Sequence, residues 1–165
     1  MTKLITRRTA LITLSAAGAS LLAAPSIVRA ATTHEIQMLN KHPEDKKMRN
    51  IFMPHLAVVE QGDTINFVAT DRGHNSASGK GQIPEGAEAW NGKVSKDISV
   101  TIDVPGFYGY VCTPHASIGM VGLVICKGEG MMDNMDAVRN AKQKGKSRKI
   151  WEKIWEEVDA LDLTA

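Results

Sequence analysis

Hydrophobic and polar residues alternate along several short stretches of positions 31–130. The alternation is clear at 65–69 and 100–104, and 107–112 and 121–126 are further strand-like runs. A period of two places one set of side chains on a buried face and the other on an exposed face, as in a β-strand. Several short strands separated by turn signals predict a mainly β architecture, a sandwich or a barrel. The turn signals include Gly62-Asp63, Pro84-Glu85-Gly86, Asn91-Gly92 and Pro105-Gly106.

The pattern changes after Gly130. Residues 131–144 lack a strong turn former and have a helical composition, and 146–161 show clearer helical periodicity. The apolar positions of the second segment form one stripe, which predicts a helix packed against the sandwich. Its polar face is acidic rather than basic, which argues against a helix lying on an anionic membrane. The stripe consists of Ile150, Trp151, Ile154, Trp155, Val158 and Leu161.

The first thirty residues have the features of an export signal. Lys3, Arg7 and Arg8 precede an apolar run at 9–24, which is shorter than the ~20 residues of a bilayer span. We expect cleavage after Ala30, so that 1–30 is a signal peptide and 31–165 a single domain with a helical part at 131–165. Arg7-Arg8 resemble a twin-arginine signal, and both this route and the Sec route lead to the bacterial periplasm.

Charge is segregated between this segment and the rest of the chain. Four of the 20 basic residues and none of the 18 acidic residues lie within positions 1–30. The remainder is therefore slightly acidic, which excludes the broad basic surface of a nucleic-acid-binding protein.

The segment from Cys112 to Met120 carries the most distinctive chemistry of the chain. It places the Cys112 thiol, the His115 imidazole and the Met120 thioether in one loop between two strand-like runs. His74, in a turn between other strands, offers a second imidazole. Two histidines and one cysteine with a weak axial methionine form the ligand set of a blue-copper electron-transfer site.

Other kinds of site fit these residues less well. Structural zinc takes strong Cys and His ligands, and Met is not among them. A single cysteine in the loop excludes a C-x-x-C motif. A Cys–His nucleophilic pair is chemically conceivable, but it leaves Met120 and His74 without a role. The remaining alternative is coincidence, with Cys112 in the core and His115 on the surface.

Further motifs run along the whole chain after position 31. They are Met38-Leu39-Asn40-Lys41, Gly62-Asp63-Thr64, Thr70-Asp71-Arg72-Gly73-His74-Asn75, Ile83-Pro84-Glu85-Gly86-Ala87-Glu88-Ala89, Pro105-Gly106-Phe107-Tyr108-Gly109 and Cys112-Thr113-Pro114-His115. Together with the Cys-to-Met spacing, they resemble the cupredoxin family, and its pseudoazurin branch in particular. The resemblance implies a Greek-key β-sandwich of about eight strands with two C-terminal helices packed on it. It also implies one type 1 copper that cycles between Cu(I) and Cu(II).

The resemblance assigns roles to individual residues. By it, the copper ligands are His74, Cys112, His115 and Met120. The backbone N–H of Asn75 is expected to hydrogen-bond the Cys112 sulfur, and the Asn75 side chain to join the two ligand loops. Pro114 lacks an N–H, so that position cannot donate a second hydrogen bond to the sulfur. Ligands held fixed in both oxidation states predict fast electron transfer and no substrate turnover.

The resemblance further implies a docking surface around His115, whose ring edge is the expected electron port. Ile118 belongs to the apolar patch expected there, and a small, weak contact suits a shuttle. Cations around the patch would steer acidic partners in a salt-dependent way. The implied partners of a monomeric carrier are a copper nitrite reductase or similar acceptor and a cytochrome donor. The cations are Lys41, Arg72, Lys80 and Lys93.

Some features depart from this pattern or lie outside it. Val111 stands where lysine is common in the family, and residues 44–47 resemble a short insertion, so the outline of the docking surface is left open. A periplasmic copper carrier or chaperone is the alternative function, although a Cys112 site with framework support favours metal retention. We interpret Cys126 as a small buried residue. His34, His42 and His55 are interpreted as surface imidazoles.

Overall fold

The computed structural model describes residues 29–163, which form eight strands followed by two helices. Most of the predicted signal peptide therefore lies outside the described residues. The strands are β1 (Thr33–Lys41), β2 (Arg49–Met53), β3 (Leu56–Glu60), β4 (Asp63–Val68), β5 (Ala77–Ser78), β6 (Ile98–Ile102), β7 (Gly106–Val111) and β8 (Val121–Lys127). The helices are α1 (Met135–Arg139) and α2 (Ser147–Asp159).

The strands form two four-stranded sheets, with the orders β2-β1-β4-β6 and β3-β8-β7-β5. The pairs β1–β4 and β3–β8 are parallel, and the other pairs are antiparallel. The alternation recognised in the sequence sets which side chains of the first sheet enter the core. Ile65 and Phe67 of β4 are fully buried, and Thr64 and Asn66, which alternate with them, are only half-buried. The two inner faces enclose one apolar cluster, which includes Ile36, Met38, Phe52, Tyr108, Tyr110 and Val124.

The second sheet is covered on both faces, which explains why β7 and β8 are apolar almost throughout. Tyr108 and Tyr110 point into the core between the sheets. Phe107 alternates with these two tyrosines along β7, so its side chain points to the opposite face of the sheet. It belongs to a second cluster on that outer face. That cluster contains Trp151 and Trp155 of α2, and the Phe107 and Trp155 rings stack at 5.8 Å. The apolar stripe within α2 is thus buried against the sandwich, as predicted. Leu161, the last predicted member of the stripe, lies beyond the end of the helix and is 40% exposed.

The helix predicted at 131–144 is much shorter than expected, because only Met135–Arg139 is α-helical. Asn134 precedes it and uses its side chain on β7: its Oδ1 accepts from Phe107 N at 2.9 Å, and its Nδ2 donates to Phe107 O at 2.8 Å. Asn140 ends it, with Nδ2 bonded to Asp136 O at 2.9 Å. Asparagine favours helix ends because its side chain competes for backbone groups.

The predicted mainly β sandwich of about eight strands with two C-terminal helices is confirmed. Across residues 29–163, no helix combines the length and the apolar character needed to cross a bilayer.

Candidate metal centre

Two loops at one end of the sandwich carry the predicted ligands. Cys112 directly follows β7, and Met120 directly precedes β8. The Cys112 N–H donates to Met120 O at 2.9 Å, which closes the intervening loop at its base. Within it, the His115 N–H donates to Cys112 O at 2.9 Å and the Met120 N–H to His115 O at 3.1 Å. His74 lies on the connection from β4 to β5, which crosses from one sheet to the other.

The structure brings three of the predicted side chains together. The Nδ1 atoms of His74 and His115 lie 3.0 Å apart, and they lie 3.8 Å and 3.5 Å from the Cys112 sulfur. These three residues form the one cluster of metal-binding type among His, Cys, Asp and Glu within residues 29–163. His74 and Cys112 are fully buried, whereas His115 is half-buried. One ion placed among these atoms could therefore contact all three.

Met120 is fully buried and belongs to the same core cluster as Cys112. Its position at the foot of the loop follows from the backbone hydrogen bond to Cys112. The chain thus places a buried thioether residue at the base of the loop that carries Cys112 and the half-buried His115.

A hydrogen bond fixes the orientation of the His74 ring. His74 Nε2 lies 3.0 Å from Asn40 Oδ1 at the end of β1. A carbonyl oxygen only accepts, so Nε2 carries the proton and Nδ1 keeps its lone pair toward Cys112. Burial, followed by the nearby charge of His115, lowers the pKa of His74. The lowered pKa favours the neutral form of the ring, which is the form that a metal requires.

The Cys112 thiol experiences opposing influences. Burial raises its pKa, whereas backbone hydrogen bonds from Asn75 and His115 act in the opposite direction. The second backbone donor thus belongs to His115 and not to Pro114, which is exposed and has no N–H. Since burial dominates, a thiolate at this position needs a bound cation to stabilise it.

The Asn75 side chain joins the two loops. Its Oδ1 accepts from Thr113 N at 2.8 Å, and its Nδ2 donates to Thr113 Oγ1 at 3.1 Å and to Gly92 O at 2.9 Å. The segment from Gly92 to Ser95 therefore also contacts the ligand loops. Its second contact is the Ser95 N–H, which donates to His74 O at 2.7 Å. Such bonds around the ligands fix their positions.

Sequence reasoning missed Asn40, Thr113 and Ser95, which all hold the cluster in place. Asn40 and Ser95 are far from His74 in the sequence, and contact between them depends on how strands from the two sheets converge. The only sequence signal was a polar residue at the end of a strand, as at Asn40. Thr113 lies inside the ligand loop and could have been inferred from its position beside Cys112.

The predicted partner-binding residues are all exposed. Ile118 is 46% exposed and lies in a short 3-10 turn, Ala116–Ile118, directly after His115. Three of the cations adjoin residues of the site: Lys41 follows Asn40, Arg72 precedes Gly73-His74, and Lys93 follows Gly92. Lys80 follows β5, and none of the hydrogen bonds around the ligands involves it or its neighbours Gly79 and Gly81.

The remaining cysteine and histidines have other surroundings. Cys126 is fully buried and unpaired, and burial raises its pKa to about 11. His34 contacts Asp63 at 2.9 Å, and His55 contacts Glu157 at 3.0 Å. His42 Nδ1 accepts from the backbone N–H of residues 44 and 45, each at 3.1 Å. These histidines are half-buried at the surface, and none of them joins the metal cluster.

The donor set fits copper. Two imidazoles and a thiol converge, one imidazole has a lowered pKa, and a thioether residue is buried beside them. Imidazole nitrogen and soft sulfur together are the ligands that copper prefers in electron-transfer sites. A copper ion bound here would explain why a buried thiol and two imidazole nitrogens face one another.

Comparisons with known proteins agree with this chemistry. The model of copper binding proteins of the plastocyanin/azurin family matches residues 36–127. A pseudoazurin from Paracoccus pantotrophus is 44% identical over 137 residues, which cover 82% of this chain and 89% of that protein.

Solved structures give the same picture. A Sinorhizobium pseudoazurin has a TM-score of 0.72 at 40% identity, covering 78% of this chain and 98% of that one. Pseudoazurin from Methylobacterium extorquens AM1 has a TM-score of 0.70 at 32% identity, covering 76% and 98%. The chain is therefore similar to these proteins over nearly their whole length.

Proposed function

Because this chain belongs to the pseudoazurin group of the plastocyanin/azurin family of copper-binding proteins and uses a type 1 copper, we propose that it is a periplasmic one-electron carrier. The observation that carries the proposal is the convergence of His74, Cys112 and His115 in a largely buried cluster. We assign the metal ligands to these three residues and to Met120.

Copper, when bound, supplies a one-electron Cu(II)/Cu(I) couple at this cluster. The residues of the chain hold the donors in place. Asn40 fixes the His74 ring, and Asn75 fixes Thr113 next to Cys112. Because these bonds belong to the chain and do not depend on the oxidation state of a bound metal, they would limit movement of the donors and so keep the reorganisation energy low.

His115 is the proposed route for electrons. Its ring is the half-buried member of the cluster, and Ile118, three residues on, presents an exposed apolar side chain. An apolar contact beside the ring would bring a partner close and release it quickly. Lys41, Arg72, Lys80 and Lys93 are proposed to attract acidic partners over longer distances, as a monomeric shuttle requires.

The cluster favours electron transfer over substrate turnover. His74, Cys112 and Met120 are buried, and the described hydrogen bonds within residues 29–163 bring no carboxylate next to the ligand atoms to act as a general base. We propose that the acceptor is a denitrification enzyme such as a copper nitrite reductase and that the donor is a cytochrome. Export through the leader at 1–30 would place the carrier in the periplasm with them.

The visible absorption spectrum of the copper-loaded protein tests the proposal. We expect an intense thiolate-to-copper band that bleaches with ascorbate and returns in air. Cys112→Ser should abolish the band. Cys126→Ser is the matched control, because it also removes a buried thiol but one outside the cluster, and it should keep the colour. A band that persists in Cys112→Ser, or a colourless wild type with bound copper, would contradict the assignment. Loss of copper to a mild chelator on the timescale of purification would favour the copper-chaperone alternative.

A further inference from the structure

One sheet edge lacks the protection that the other edges have. The edge strands of the two sheets are β2 and β6 in the first and β3 and β5 in the second. β2 contains Arg49, β3 ends at the exposed Glu60, and β5 has only two residues. The sequence of β6 is Ile-Ser-Val-Thr-Ile, without charge, proline or glycine. Charged side chains, prolines and short strands are the usual means of blocking an edge, so β6 is open to pairing.

A cleft of about 700 Å³ runs along this edge. β6 lines one side of it and the segment 86–91 lines another, and within residues 29–163 β4 is the only strand that pairs with β6. We propose that the β6 edge binds an extended, cationic segment of a partner protein, which adds one strand to the first sheet. The proposal goes beyond electron transfer, because no predicted copper ligand or docking cation lines the cleft.

The charge of the cleft is negative. Glu88 and Asp103 line it, and among the described residues no lysine or arginine does. Both carboxylates are exposed, and neither forms an ion pair within residues 29–163. Asp97 directly precedes β6, so the strand has a carboxylate at each end. A neighbouring strand with a cation at each end would match this charge.

The same carboxylates disfavour a second copy of this chain as the occupant. Antiparallel pairing of two β6 strands about Val100 would place Ile98 opposite Ile102, which is favourable. It would also place Asp97 opposite Asp103 at both ends, and like charges directly opposite each other are destabilising. Parallel pairing in register would place each aspartate beside its own counterpart. The edge therefore selects a cationic segment over its own copy.

The alternation of β6 indicates which side chains such a segment carries. Ser99 and Thr101 are exposed, whereas Ile98 and Val100 are half-buried and pack against the core between the sheets. Trp90, which is 8% exposed, lines the same cleft. Apolar side chains at alternate positions of an added strand would cover Val100 and Trp90. A small organic cation could match the charge, but it would leave these apolar groups and the main-chain groups of the edge in water.

The peptide Lys-Val-Thr-Val-Thr-Val-Lys, titrated into the ¹⁵N-labelled copper(I) protein at low salt, tests the proposal. We expect amide shifts at 86–91 and 97–103 and slower amide hydrogen exchange within β6. Two further peptides are N-methylated, one at its valines and one at its threonines. Since only one of these sets of N–H groups can face β6, the affinities of the two should differ by about tenfold.

Paired substitutions in the protein test the role of charge. Glu88→Gln with Asp103→Asn should weaken binding of the unmethylated peptide by about fivefold, because two exposed charge pairs are lost. Glu152→Gln with Glu156→Gln removes the same charge from α2, where both residues line a different depression. This control should change the affinity by less than about twofold.

Four outcomes would overturn the proposal. Equal affinity of the two N-methylated peptides would show that side-chain charge, and not strand addition, accounts for binding. Equal weakening by the two double variants would show that only net charge matters. Peptide-induced shifts that leave 97–103 unchanged would place the peptide elsewhere. Shifts at 97–103 that depend on protein concentration without peptide would assign the edge to a second copy.

Discussion

Asp63 shows how much a single buried residue can determine. Its side chain is fully buried at the start of β4, where it accepts hydrogen bonds from the Arg29 guanidinium, His34 and the backbone N–H of Thr32 and Glu60. In the uncleaved chain, the Arg29 hydrogen bond, with the other donors, holds the pKa of this carboxyl well below its usual range. Cleavage after Ala30 would remove Arg29 and leave Thr32, His34 and Glu60 as the donors. The segment that enters β1 is therefore fastened to the sandwich through one carboxylate.

This carboxylate makes stability depend on pH. The folded-state pKa lies below the ordinary value of 3.8, so below about pH 5 the unfolded chain takes up a proton at Asp63 that the folded chain does not. Stability should therefore fall as the pH falls, with a slope of up to about 1.4 kcal/mol per pH unit from this group. Asp63→Asn should remove that slope and cost about 2 kcal/mol at pH 7. Urea unfolding of the uncleaved chain, which keeps Arg29, at pH 7 and pH 4 measures both effects.

Asp97→Asn provides the control for this prediction. Asp97 is exposed and accepts one backbone hydrogen bond, from Ala69 at 2.8 Å. It should keep the wild-type pH slope. If the free energy of unfolding of Asp63→Asn falls with pH at the same slope as that of Asp97→Asn, another group accounts for the acid sensitivity.

At the residue scale, sequence reasoning succeeded where the relevant residues are close together in the chain. Cys112, His115 and Met120 share one short loop, so their spacing alone made convergence plausible. Asp63 was recognised only as part of a turn, because three of its four donors come from residues about thirty positions away. Burial of a charged side chain depends on such remote partners, and composition does not reveal them.

At the element scale, α2 supports the metal loop as well as the core. The Lys146 N–H, at the start of the helix, donates to Ser117 O at 2.8 Å, and Gly145 lies directly against the same carbonyl. The helix was predicted from its apolar stripe, and its burial against the second sheet followed. Its contact with the 116–119 turn could not be predicted, because that contact depends on where the helix begins relative to the sheet.

Gly145→Ala should disturb this junction. Gly145 has φ 60°, and a Cβ there would lie 2.3 Å from Ser117 O. Gly86 has φ 80° and open space around it, so Gly86→Ala reports the backbone penalty alone, about 1 kcal/mol. We expect Gly145→Ala to cost about 2 kcal/mol more than this, because the clash also displaces the Lys146–Ser117 bond. Urea unfolding of both variants measures the difference, and equal losses would show that α2 does not brace the loop.

At the scale of the whole molecule, the metal cluster joins the two sheets. His74 lies on the connection that crosses between them, Asn40 lies near the end of a strand of the first sheet, and Cys112 extends a strand of the second. The two-layer architecture and the convergence of His74, Cys112 and His115 could both be expected from the sequence. The two loops meet at one end because of the registers in which the strands pair. These strands are far apart in the chain, so the registers could be determined only from the structure.

Removal of copper should therefore loosen the whole sandwich and not only the loop. A ligand that binds only the folded state stabilises it by about 4 kcal/mol at a thousandfold excess over Kd. We expect copper to raise Tm by roughly 10–20 °C, measured by circular dichroism of metal-free and copper-loaded protein. Cys112→Ser should show a much smaller rise. Identical melting of the metal-free and loaded wild type would mean that the metal does not bridge the sheets.

The course of β1 has a consequence for attaching this protein to an electrode. The strand begins at Thr33, beside Asp63, and its penultimate residue Asn40 holds the His74 ring. Seven steps along a strand span about 23 Å, so the N-terminal attachment point and the metal ligands lie at opposite ends of the sandwich. A protein fixed to gold through its N-terminal end would pass current slowly, since tunnelling decays exponentially with distance. The same orientation would leave His115 facing the solution, free to meet a partner.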